Sequence, residues 1–199
     1  MSTTETQNVS IKDTTSNPAP LGLLGFGLTT ILLNLHNIGL FPVNSMIMGM
    51  GIFVGGIAQV IAGTQEWKKN NTFGATAFTA YGFFWIALVA LWILPNAGIG
   101  VQKTDEKAVG WFLLVWGLFT LGMFYGTLVL NKALQIIFGS LVILFFLLAI
   151  GDFTGNAGIK VVAGYVGIFC GFSAFYACIA QILNEVYGKV VLPLGPVKK

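Results

Sequence analysis

The side chains able to do chemistry in this sequence form a hydrogen-bonding set set into apolar surroundings. Thr29, Thr30, Asn34, His36 and Asn37 fall in the first apolar stretch, Gln59 in the second, Thr76, Thr79 and Tyr81 in the third, and Gln181 and Asn184 at the end of the last. In hydrocarbon such groups need partners, so they mark either joints between helices or a polar path. Glu66, Asp152 and Glu185, the acidic residues close to these stretches, stand at their ends, and no lysine lies deep inside one. A path lined in this way hydrogen-bonds a small polar solute and offers no fixed charge at mid-membrane. Thr29 and Thr30 can equally bond their own helix backbone. Gln59 reads as well for a joint as for a path lining, and His36, near the end of its stretch, reads as a joint ahead of a proton relay.

Other chemistries lack their residues. One histidine excludes a bis-histidine haem within a subunit, and no Cys, His and carboxylate spacing matches a zinc or iron–sulfur site, so no cofactor and no metal is expected. Cys170 and Cys178 are eight positions apart, about 12 Å along a helix, too far for a disulfide. They read as packing residues. All ten basic residues are lysines, which leaves no guanidinium fork for phosphate and no basic face for nucleic acid. An enzyme would need a nucleophile–base pair or a metal set, and neither is present.

The elements that hold these side chains follow from composition. Of 199 residues 56% are hydrophobic and 9% charged, too few ionised groups to cover a water-soluble globule. The chain reads as an all-α membrane protein with six transmembrane helices, over residues 20–40, 45–63, 73–94, 109–130, 133–151 and 159–183. Each is near the 20 residues needed to cross about 30 Å of hydrocarbon. Lipid-exposed backbone must bond internally, and the two-residue period of a β-barrel is absent. The first stretch is too long for a signal-peptide core and should stay in the mature protein. Residues 1–17 read as a mobile cytoplasmic tail, 18–188 as the helical domain and 189–199 as a second cytoplasmic tail. With the N-terminus inside, seven lysines (12, 68, 69, 132, 189, 198 and 199) face the cytoplasm against three (103, 107 and 160) opposite, which favours both termini cytoplasmic.

Two spacings bear on packing. Gly51 and Gly55, Gly122 and Gly126, and Gly167 and Gly171 are each four apart, the interval that lets helix backbones touch, either within a subunit or between subunits. Phe26, Tyr81 and Leu141 each lie eight residues beyond plausible helix starts at Pro18, Phe73 and Ala133, about 12 Å of rise, with Gly25, Gly82 and Gly139 close by. Three bulky groups at one depth can meet on an axis and form an apolar constriction.

Longer motifs carry a resemblance. Asn17-Pro18-Ala19-Pro20-Leu21-Gly22-Leu23, followed by Gly25-Phe26-Gly27, resembles the signature of the acetate uptake transporter family, whose bacterial members are the succinate–acetate permeases. The likeness continues through Thr29 to Asn37, Gly55 to Gln59, Asn71 to Gly82, Trp116 to Leu121, Leu148 to Gly151, Leu183 to Gly188 and Val191 to Gly195. Departures are Asp152, where an Asn is expected, and the loop from Gly98 to Lys107. The resemblance implies a homohexamer of six-helix subunits in the cell membrane, with a path for acetate and similar short carboxylates through each protomer. It also implies a hydrophobic constriction of a Phe, a Tyr and a Leu, which local motif places at Phe26, Tyr81 and Leu141.

On this reading the solute crosses as the neutral acid or together with a proton, and Thr29, Thr30, Asn34, Gln59 and Gln181 replace lost water beside the constriction. Asn17, Pro18, Pro20 and Gly22 belong to the family motif. A passive channel for urea, ammonia or water suits the same uncharged lining, and differs in showing no proton coupling and no competition by carboxylates. A membrane sensor or scaffold would need more than the short tails present.

Overall fold

A computed structural model describes residues 15–197. The expected amino-terminal tail up to residue 14, with Lys12, lies outside the described residues, as do Lys198 and Lys199. Six helices are long and apolar enough to cross a membrane: α1 (Ala19–Asn37), α2 (Ser45–Lys68), α3 (Thr72–Asn96, whose last turn Leu94–Asn96 is 3-10), α4 (Glu106–Thr127), α5 (Lys132–Thr154) and α6 (Ala157–Val186). Among the described residues there is no strand, only an isolated bridge between Asn131 and Pro196.

The polar punctuation between the apolar runs does the capping. Asn44, Asn71, Asp105, Asn131 and Asn156 each accept a backbone N–H from the first turn of the helix that follows, at 2.9 to 3.2 Å. A short side-chain oxygen there satisfies donors that have no partner within the helix. The caps also explain where the boundaries differ from hydropathy. Asp105 starts α4 at Glu106 rather than at residue 109, and α5 runs on past residue 151 until Gly155 takes a left-handed conformation (φ 64°). α1 begins differently, with Pro20 in its first turn and Asn17 Oδ1 accepting from Ala19 N at 3.1 Å.

α2 carries a feature that hydropathy does not show: its middle, Met50–Ala58, is a π-helix. The wider turns coincide with Gly51, Gly55 and Gly56, and α1 crosses them where Gly25 meets the Val54 carbonyl. Around the bundle the helices follow the order α3, α2, α1, α6, α5, α4, and rings from α3 and α4 close the circle, Phe84 stacking on Phe112 at 5.4 Å. An even number of spans returns the chain to its starting face, so both described ends share one side, called here the near face. The last residues fold back along that face: Asn184 holds Val191 and Leu192, and Lys132 N donates to Gly195 O at 2.8 Å.

Five of the six paired glycines face neighbours inside the subunit. A Cβ at Gly171 would stand 2.6 Å from Ile31 Cγ1 and 2.8 Å from the Gly27 carbonyl, so α1 and α6 touch backbone to backbone there. Gly51 and Gly55 receive Val89, Thr29 and Trp85, Gly126 receives Phe73, and Gly167 receives Asn34. Gly122 faces open space.

Candidate site: two cavities with a shared apolar wall

Two cavities reach into the bundle from opposite faces. The near-face cavity holds about 600 Å³ and the far-face cavity about 290 Å³. Phe26, Tyr81 and Leu141 line both. They are 7%, 3% and 3% exposed, which puts them in the interior and not among lipid-facing residues.

Local sequence aims these side chains. Gly25 and Gly27 flank Phe26; the first packs on α2 and the second on α6, where its Cβ would meet the Gly171 carbonyl at 2.9 Å. Successive helix positions are about 100° apart, so Phe26 projects between these two contacts, towards the centre of the bundle. Gly82 lets α3 press on α2, where a Cβ would stand 2.8 Å from the Gly56 carbonyl, and turns its neighbour Tyr81 inward. Tyr81 is then caged by rings, with centroids of Phe26, Trp116, Phe119 and Phe138 at 5.8 to 6.1 Å. Its hydroxyl lies 2.9 Å from Thr120 Oγ1, and Thr120 lines neither cavity.

The polar residues singled out in the sequence divide between the cavities. Gln59, Gln181 and Asn17 line the near-face one. Gln59 is 1% exposed and donates from Nε2 to the Gly55 carbonyl at 2.6 Å, while Gln181 Oε1 accepts from Asn17 Nδ2 at 2.9 Å. Thr30 and Asn34 line the far-face one. Asn34 donates to the Thr30 carbonyl (2.8 Å) and accepts from Asn37 Nδ2 (3.0 Å), and the Thr30 hydroxyl is buried without a hydrogen-bond partner. Thr29 lines neither cavity; its hydroxyl reaches the Met50 carbonyl at 3.4 Å, a joint between α1 and α2. Pro18 and Pro20 shape the start of α1, and Gly22 packs under the Phe78 ring. His36 Nδ1 sits 2.7 Å from the Phe41 carbonyl, and since a carbonyl only accepts, that nitrogen carries the proton.

Charge stands at both mouths, and sequence reasoning did not place it on the path. Glu66, 3% exposed, lines the near-face cavity with Lys69, and its Oε2 accepts from Asn71 Nδ2 at 2.8 Å. At the far face Lys160 Nζ lies 2.6 Å from Asp152 Oδ1 and 3.7 Å from Glu106 Oε1, and Asp152 and Lys160 both line the cavity. A signal for the second pair was present: two opposite charges eight apart, straddling the Gly155-Asn156 turn between antiparallel helices. The wall between the cavities carries no ionisable carboxylate or amine. Together the two cavities offer a hydrogen-bonding approach from each side to a short apolar neck, which suits a small solute that can shed its charge.

The chain matches the GPR1/FUN34/yaaH family over residues 2–198. It is 54% identical over 180 residues to the succinate-acetate/proton symporter SatP of Escherichia coli (strain K12), covering 90% of this chain and 95% of that protein. It is 37% identical over 177 residues to the ammonia transport outward protein 2 of Saccharomyces cerevisiae, covering 85% of this chain and 62% of that one. Among solved structures, that of the bacterial acetate channel SatP superposes with a TM-score of 0.89 at 54% identity, over 91% of this chain and 99% of the other. The chain belongs to the GPR1/FUN34/yaaH family and is a multi-pass, all-helical membrane protein.

Proposed function

We propose that this member of the GPR1/FUN34/yaaH family carries acetate and similar short carboxylates, succinate included, across the cell membrane. The solute passes through each protomer by way of the two cavities. The carrying observation is that Phe26, Tyr81 and Leu141 line both cavities at once, so that a solute leaving one for the other must pass between them. The similarity to proteins named for acetate and succinate supplies the substrate class. Lysine asymmetry favours a cytoplasmic near face, and the family resemblance supports a homohexamer.

The neck sets the form in which the solute crosses. Stripping an anion of water there would cost tens of kcal/mol by the idealised estimate. Protonating a carboxylate of pKa about 4.3 at pH 7 costs about 3.7 kcal/mol, at 1.36 kcal/mol per unit. The neutral acid also escapes the membrane potential, about 2.3 kcal/mol per 100 mV. Passage is therefore proton-linked: Gln59 and Gln181 on one side and Thr30 and Asn34 on the other stand in for water, and the neck takes the uncharged acid.

Radiolabelled acetate uptake into proteoliposomes, with and without an imposed pH gradient, tests this. Uptake rises as the external pH falls and collapses with the gradient. Uptake indifferent to both overturns proton-linked passage. A second reading, a passive channel for ammonia and other neutral solutes, draws on the name of the yeast relative. It requires ammonia flux without competition from acetate.

A further inference from the structure

Resting on that transport reading, we propose that Thr120 is a positioning residue for the neck: it takes the proton of the Tyr81 hydroxyl and so fixes how far that ring stands into the passage. Thr120 is 0% exposed, and its Oγ1 lies 2.7 Å from the Trp116 carbonyl of its own helix. A carbonyl only accepts, so the threonine proton is committed there. The remaining contact, 2.9 Å to Tyr81 Oη, must then run the other way, with Tyr81 donating and Thr120 accepting. The relay Tyr81 to Thr120 to Trp116 has a fixed sense. It leaves Tyr81 no proton to offer a passing acid, and makes its ring a wall held from behind.

The tether also spans a junction with few other polar ties. Among the described residues it is the only side-chain hydrogen bond between α3 and α4, which otherwise meet through rings such as Phe84 on Phe112 and on Trp116. Ring contacts at 5.8 to 6.1 Å surround Tyr81, but apolar contact is non-directional; the hydroxyl bond is the directional tie on the ring.

The two ends of the bond are unequal, and this gives the test. Tyr81→Phe removes a donor and leaves Thr120 satisfied by Trp116. Thr120→Val, nearly equal in volume, strands a buried phenol, which must turn towards the nearest polar space, the cavities, and drag its ring across the neck. Acetate uptake by proteoliposomes is measured for the native chain, Thr120→Ser, Thr120→Val, Tyr81→Phe and the double variant, with thermal unfolding in detergent alongside. Thr120→Ser keeps a near-native maximal rate, because serine can make the same two bonds. Tyr81→Phe, Thr120→Val and the double variant all cut the tether, so each loses about fivefold in maximal rate with little change in KM, and the losses do not add. A native rate in Thr120→Val, or a loss in the double variant equal to the product of the two single losses, overturns the proposal. If Thr120→Val fails to fold, recovery of folding in the double variant supports the tether and continued failure overturns it. A native chain that moves no acetate refutes the transport reading instead, and the order of unfolding temperatures, with the double variant above Thr120→Val, still decides the tether.

Discussion

Leu141→Ala is the sharpest probe of the shared wall. Leu141 is 3% exposed and borders both the 600 Å³ and the 290 Å³ cavity, so trimming its side chain to a methyl widens the opening between the two spaces. The wider opening admits lactate, which differs from acetate by one carbon and a hydroxyl. The hydroxyl sets a ceiling on the gain: burying it unpaired in the apolar neck costs about 1 to 2 kcal/mol, so lactate still trails acetate by about 5- to 30-fold. Competition of radiolabelled acetate uptake by unlabelled lactate reads this directly. The native chain is expected to be insensitive and the variant to be inhibited at concentrations about tenfold above those of acetate needed for the same effect. Leu→Ala in a packed core costs about 2 to 5 kcal/mol, and a side chain with cavities on two sides belongs at the low end, so the variant should remain folded. A variant that elutes as the native assembly, transports acetate and ignores lactate refutes the placement of Leu141 at the limiting point.

Two further outcomes follow from the packing and from the far mouth. Gly171→Ala should cost about 1 to 3 kcal/mol, because its Cβ would meet backbone at 2.8 Å, whereas Gly122→Ala, in open space, should leave the unfolding temperature in detergent unchanged or slightly raised. Equal effects at the two positions contradict the α1–α6 contact. Asp152→Asn leaves Lys160 with Glu106 alone at 3.7 Å, so the far mouth gains positive potential and attracts carboxylates. With Lys160 partly exposed the gain is under about 1 kcal/mol; KM for acetate should fall by less than about fivefold at low salt and return to native at about 1 M salt. An unchanged KM at low salt means the ion pair does not act on the solute.

Much of the helix frame is legible because the signals are local. Apolar runs near 20 residues fix the spans, and the Asn and Asp residues between them turn out to be caps, which is why hydropathy and hydrogen bonding agree on where most helices begin. The depth coincidence of Phe26, Tyr81 and Leu141 survives small changes in those starts. Measured from Ala19, Thr72 and Lys132 the offsets become 7, 9 and 9 residues, a spread of about 3 Å along the axis, less than the width of one aromatic ring. The adjacent glycines add direction to depth, since a contact too close for any Cβ on one side of a helix tells where the next side chain points.

What escaped the sequence depends on pairs of distant residues. Thr120 looks like any threonine that bonds its own helix, and only the approach of Tyr81, 39 positions earlier, gives its lone pair a task. The π stretch at Met50–Ala58 leaves a trace in its glycines, but four-residue glycine spacing is equally the mark of a straight helix in close contact. Glu66 and Lys160 were legible as charges at span ends, where charge is unremarkable in a membrane protein, and become path residues because each span end is also a cavity rim. That double role has a physical consequence. Lys160, with its side chain 31% exposed, keeps contact with water and also borders the far cavity; on the proposed reading it biases which solutes collect there, while the neck, free of charge, selects which of them cross. Concentration and selection are thereby separated by about half the membrane thickness, so substitutions at the rim should move KM and its salt dependence, and substitutions at the neck should move maximal rate and the range of acids accepted.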